Sequence, residues 1–114
     1  MSPITTHILD TSIGCPITNV LVRLEQQNQD GSWRELSSGT TDNDGRIMNL
    51  LPEEEVLDSG VYQMIFLTAP YFEKQGVSFF YPKIEIRFLL HHPEQHYHIP
   101  LLLSPFGYST YRGS

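Results

Sequence analysis

The segment Ile84-Glu85-Ile86-Arg87-Phe88-Leu89-Leu90 sets Ile84, Ile86, Phe88 and Leu90 in alternation with Glu85, Arg87 and Leu89, and His96 to Leu103 follows after a short polar break. A period of two places successive side chains on opposite faces of an extended chain, so both segments read as β-strands. Outward from them the same pattern recurs. Val61 to Ala69 is a long apolar-rich strand between Gly60 and Pro70. Pro70 to Gly76 holds one or two helical turns, Pro70 suiting a first helical position and Gly76 a stop. Earlier, Val20, Val22 and Leu24 alternate with Leu21, Arg23 and Glu25. Asn28-Gln29-Asp30-Gly31 then carries an Asp-Gly turn signal, and Trp33 to Thr41 supplies the returning strand. Asp42-Asn43-Asp44-Gly45 is a stronger turn, with Gly45 free to take positive φ. Ile4 to Asp10 is a further strand, closed by Gly14 and Pro16. Seven or eight strands with no βαβ alternation predict an all-β fold, an antiparallel β-sandwich with one short helix.

The 114 residues suffice for one domain, 1–114, and would leave two domains too small. Seven Lys and Arg against thirteen Asp and Glu give a net charge of −6, which argues against a protein that grips phosphate backbones. The single Cys15 excludes an internal disulfide framework. No charged region precedes an apolar one near Met1, no apolar run approaches the ~20 residues of a membrane span, and Ser-Lys-Leu does not close the sequence. The expectation is a cytoplasmic protein. Glu53-Glu54-Glu55 reads as a solvated loop.

In His96-Tyr97-His98-Ile99-Pro100-Leu101, alternation puts His96 and His98 on one face and Tyr97, Ile99 and Leu101 on a core face. His7 lies within the first strand, on a face that alternation does not decide. Arg46 follows the Asp44-Gly45 turn, from where its guanidinium can reach a neighbouring face. His91, His92, His96 and His98 are close in sequence, but no Cys stands near them and no HExxH spacing appears, so no metal site is assigned. Cys15 in its Gly-Cys-Pro turn has no signature tying it to a His, and there is no GxSxG elbow. For an enzyme, water itself is then the nucleophile, activated by a positioned base.

Three segments together carry a resemblance. Thr6-His7-Ile8-Leu9-Asp10, with Gly14 and Pro16, resembles the N-terminal signature of the transthyretin-like family. Thr41 to Arg46, ending Asp44-Gly45-Arg46, fits its next landmark. Tyr97 to Ser114, ending Ser109-Thr110-Tyr111-Arg112-Gly113-Ser114, resembles its C-terminal signature at nearly every position. The likeness spans the whole chain. Within the family, the 5-hydroxyisourate hydrolase branch is marked by a His in the first motif, an Arg in the second, a His after the Tyr of the third, and a Tyr-Arg-Gly-Ser end. His7, Arg46, His98 and the tetrapeptide match these marks, whereas the hormone carriers lack the tetrapeptide.

The resemblance implies a prealbumin-type (transthyretin-like) sandwich that hydrolyses the N1–C6 amide-type bond of 5-hydroxyisourate to 2-oxo-4-hydroxy-4-carboxy-5-ureidoimidazoline in urate degradation. It implies no metal and no organic cofactor, and a homotetramer whose sites line a channel between dimers. His7, Arg46 and His98 are then catalytic, and Tyr111 and Ser114 join them as substrate contacts. A neutral imidazole can take a proton from water near neutrality, and an Arg can stabilise oxyanion character. Which His is the base stays open at this level. The rival expectation is a non-catalytic carrier of small aromatic ligands.

Overall fold

The computed structural model describes residues 2–113. Its strands are β1 (Ile4–Asp10), β2 (Cys15–Pro16), β3 (Leu21–Gln27), β4 (Trp33–Thr40), β5 (Arg46–Ile47) and β6 (Gly60–Phe66). After helix α1 (Ala69–Gln75) come β7 (Ile84–Leu90), β8 (Tyr97–Ser104) and β9 (Gly107–Thr110). Two sheets form. One is ordered β2-β1-β8-β9, with β5 also on β1, and the other β4-β3-β6-β7. Between them lies one apolar cluster containing Ile4, Ile8, Leu101 and Leu103 from the first sheet and Val22, Leu24, Met64, Phe66 and Ile84 from the second. Burying each such side chain fully stabilises by roughly 1.5–3 kcal/mol. The all-β sandwich with one short helix is therefore the observed architecture.

Alternation decides which faces meet. In β8, Tyr97, Ile99, Leu101 and Leu103 are buried while His98, Leu102 and Ser104 are half-buried, as the period of two requires. Four features depart from the sequence reading. The pairing of β1 with β8 is parallel, so the sandwich is not wholly antiparallel. Strand β6 ends at Phe66, not Ala69, because Thr68 already has helical φ/ψ and Pro70 fits the first turn of α1. Cys15 and Pro16 do more than end β1, since they pair back onto Asp10 and Leu9. In addition β9 folds back on β8 after the Pro105-Phe106 turn, a strand the pattern did not separate from its neighbour.

Polar side chains tie the ends together. Asp10 accepts from the Ser12 backbone N–H at 2.9 Å and from the Tyr71 hydroxyl at 2.7 Å, joining β1 to α1. Burial, then the contact with Asp10, pushes the Tyr71 phenol up to about 12. The buried Thr41 hydroxyl donates to the Ile17 carbonyl at 2.7 Å and accepts from the Val20 N–H at 3.0 Å. It thereby stitches the β2–β3 link to the end of β4. Thr41→Val keeps the shape but leaves two buried backbone groups unpaired, and a loss of about 1–3 kcal/mol is expected. Thermal melts of Thr41→Val beside Thr41→Ser check it, with only the valine variant melting markedly lower.

Candidate active site

The parallel register of β1 and β8 sets Thr5 opposite His98 and His7 opposite Pro100. Thr5, itself buried, and the half-buried His7 alternate with the inward-facing Ile4, Thr6 and Ile8, and so share the outer face of the sheet with His96 and His98. The result is a continuous hydrogen-bonded line. His7 Nδ1 meets His98 Nε2 at 2.7 Å, His98 Nδ1 meets Thr5 Oγ1 at 2.7 Å, and Thr5 Oγ1 meets His96 Nε2 at 2.9 Å. The rings stack: the centroids of His7 and His98 are 4.9 Å apart, those of His96 and His98 6.5 Å. Both nitrogens of His98 are thus occupied, while Nε2 of His7 is in no hydrogen bond among the described residues.

Arg46 comes to this face by way of the turn before it. Asp42 Oδ1 accepts from the backbone N–H groups of Asp44, at 2.9 Å, and Arg46, at 3.0 Å. Gly45 has φ 73°, and its carbonyl accepts from the Ile8 N–H at 2.8 Å. A Cβ there would stand 2.6 Å from the Ile8 carbonyl oxygen, so glycine is needed for both conformation and close approach. This docking makes Arg46 the register partner of His7. Its side chain is exposed, with no ion pair to a carboxylate among the described residues.

The C-terminal segment closes on the same place. The Gly113 N–H donates to the His98 carbonyl at 2.8 Å, and a Cβ on Gly113 would lie 2.8 Å from His98 Cδ2. Arg112 lies over the Tyr97 ring at 4.3 Å and donates to Gln95 Oε1 at 2.9 Å. Tyr111 makes no hydrogen bond to these imidazoles among the described residues. It is exposed and lines a 250 Å³ groove with Ile86, Leu89 and Ile99. Ser114 lies outside the described residues. The structure therefore brings together His7, His98 and Arg46, and adds Thr5 and His96. Sequence reasoning missed Thr5, although its place two residues before His7 put it on the same face.

Residues 4–113 match the profile described as the HIUase/Transthyretin family. The chain belongs to this family. A 5-hydroxyisourate hydrolase of Salmonella dublin is 48% identical over 108 residues, which are 95% of this chain and 78% of that protein. Among solved structures, a Klebsiella pneumoniae 5-hydroxyisourate hydrolase superposes with a TM-score of 0.83 at 32% identity, covering 97% of this chain and 98% of that one. A sea bream transthyretin in complex with thyroxine superposes with a TM-score of 0.89 at 38% identity, covering 97% and 94%. The HIUase/Transthyretin backbone thus accommodates both names, and side-chain chemistry has to separate them.

In this family member His7 and His98 are both biased toward the neutral form. Burial, then His7, Arg46 and His96, lowers His98 to about 4. Burial and then the Arg46 charge lower His7. A neutral pair next to a fixed cation can accept a proton without carrying one at rest. Among the described residues no group of three or more His, Cys, Asp or Glu is disposed to hold a metal ion, and the imidazole nitrogens of His98 are turned to Thr5 and His7. Gly113→Ala should displace the His98 ring or the tail over it while keeping stability within about 1 kcal/mol. NMR of the His7 and His98 ring resonances checks this, the expected result being a shift at both rings.

Proposed function

We propose that this chain is a 5-hydroxyisourate hydrolase, opening the N1–C6 bond with water activated by His7. The carrying observation is that the hydrogen-bonded line ends, on the Arg46 side, at His7. His98 spends both nitrogens on Thr5 and His7, so His7 Nε2 is the nitrogen of this pair left for a reacting molecule. His7 then removes a proton from water as hydroxide adds to C6, and His98 fixes the tautomer of His7. Arg46, register partner of His7, stabilises the oxyanion that forms on C6. Collapse breaks C6–N1, the departing nitrogen takes its proton from His7, and C6 leaves as the carboxyl group of the ureidoimidazoline. No metal or organic cofactor enters this scheme.

Ser114 follows Gly113, which is pinned to His98, and this supports the Ser114 hydroxyl as a substrate contact. Tyr111, apart from the imidazoles in the single chain, takes no part in the proton transfers. The site lies on an outer sheet face where the rings are half-buried and Arg46 is exposed. Water-controlled chemistry asks for more enclosure than one copy supplies. The proposal therefore includes a homotetramer in which faces of paired dimers cover one another and form the substrate channel. A cytoplasmic location is part of the same reading.

A non-catalytic carrier of small aromatic ligands is the second reading, favoured by the superposition on the thyroxine-bound transthyretin. Rates decide between them. Urate oxidase generates 5-hydroxyisourate, whose absorbance decays spontaneously, and the protein should accelerate that decay. A rate no faster than buffer would overturn the hydrolase. His7→Gln should lower kcat by about 10²–10⁴-fold, and Arg46→Ala by about 10²–10³-fold. His98→Asn should be worse than Ser114→Ala.

The pH dependence has a definite sign. Both rings have folded-state pKa values below the ordinary 6.5, so the base form persists as pH falls through 6.5 and is lost only lower down. The acid limb of kcat/KM should have its midpoint below 6.5. A midpoint at or above 6.5 would contradict the assignment.

A further inference from the structure

The outermost ring of the line, His96, has no part in the scheme above. It stands 2.9 Å from the hydroxyl that His98 also contacts, at the end remote from Arg46. It also lines a cleft of about 580 Å³ with Glu53, Glu55 and Glu94, whereas His7 and His98 feel the Arg46 cation. A positive charge is thus repelled from the Arg46 end of the line, while at the other end carboxylates line the cleft and Arg112 donates to the His96 carbonyl at 3.5 Å. Resting on the hydrolase reading, we propose that His96 is the far end of a proton relay, a positioning residue that takes up, through Thr5, the charge created when His7 deprotonates water.

The transfers balance along these contacts. At rest His7 carries its proton on Nδ1 and donates to His98 Nε2. His98 donates from Nδ1 to Thr5 Oγ1, and Thr5 donates its hydroxyl proton to His96 Nε2. When water loses a proton to His7 Nε2, the Nδ1 proton passes to His98 Nε2 and the His98 Nδ1 proton passes to Thr5. The Thr5 proton then passes to His96. Each O–H or N–H bond that breaks is matched by one that forms, and hydroxide bonds to C6. The only net change along the line is that His96 becomes imidazolium. The charged and titratable groups around it are His98, Arg112 at its carbonyl, and the cleft-lining Glu53, Glu55 and Glu94, while His98 faces His7, Arg46 and His96. In collapse every step reverses, and His7 Nε2 delivers the proton to the departing nitrogen.

A relay and a merely structural hydrogen bond differ in what glutamine can replace. Gln at position 96 can bond to Thr5 but cannot accept a proton. His96→Ala and His96→Gln should both lower kcat about tenfold, below the full ~10²–10⁴-fold of a positioned proton-transfer group, with KM for 5-hydroxyisourate unchanged. Free imidazole should restore part of kcat in His96→Ala. Thr5→Val should cost about as much, lose nothing further in combination with His96→Ala, and be rescued by serine at that position. Wild-type kcat in His96→Gln would overturn the relay, as would wild-type kcat in both His96 variants. If Thr5→Val fails to fold, the His96 pair and the imidazole rescue decide alone. A wild-type protein that does not accelerate substrate decay would instead overturn the hydrolase reading, which separates the two failures.

Discussion

The site depends on the parallel pairing of β1 with β8. Seven register pairs, from Ile4 with Tyr97 to Asp10 with Leu103, hold two segments from opposite ends of the sequence side by side. Because both strands bury alternate residues in one core, their outward residues are not free to choose partners. Ile8 and Leu101 turned inward leave His7 and His98 turned outward on adjacent strands, close enough to hydrogen-bond. A slip of one residue in either strand would expose core side chains and turn an imidazole into the core, so the energy that sets the sandwich also sets the geometry of the candidate site.

Around that pair, the fold supplies opposite electrostatic conditions at its two ends. The Asp42–Gly45 turn brings a permanent cation to His7, and the cleft at His96 gathers carboxylates. The C-terminal segment adds a steric constraint, since Gly113 packs on His98 where any side chain would intrude. The same backbone occurs in proteins named for hydrolysis and for thyroxine binding. The backbone superposes on both, and in the proposed mechanism proton transfer runs through the line of imidazoles and hydroxyl on its outer face.

Much of this was legible in the sequence because alternation is a local signal. It located β1, β3, β4, β7 and β8, and it turned Tyr97, Ile99 and Leu101 inward with His98 outward. Glycine at position 45, with Asp42 and Asp44 before it, announced the turn that carries Arg46. What alternation cannot carry is which strands become neighbours. The parallel contact of Thr5 with His98 joins residues 93 positions apart, so neither Thr5 nor the path to His96 was visible before the strands were paired. His96 was weighed only as a metal ligand, because proximity in sequence to His91 and His92 suggested a cluster. In the structure its Nε2 turns to Thr5. The motif resemblance named His7, Arg46 and His98 together without the geometry that orders their roles.

The central claim is that two neutral imidazoles share one proton across the β1–β8 pair and leave His7 Nε2 as a lone-pair acceptor. Nitrogen-15 NMR of the histidine side chains in the folded protein at neutral pH tests it most directly. The account predicts both rings uncharged, with the His7 proton on Nδ1, Nε2 bare, and His98 protonated on the nitrogen facing Thr5. An imidazolium at either position at neutral pH, or a His7 ring protonated on Nε2 instead of Nδ1 at rest, would contradict it.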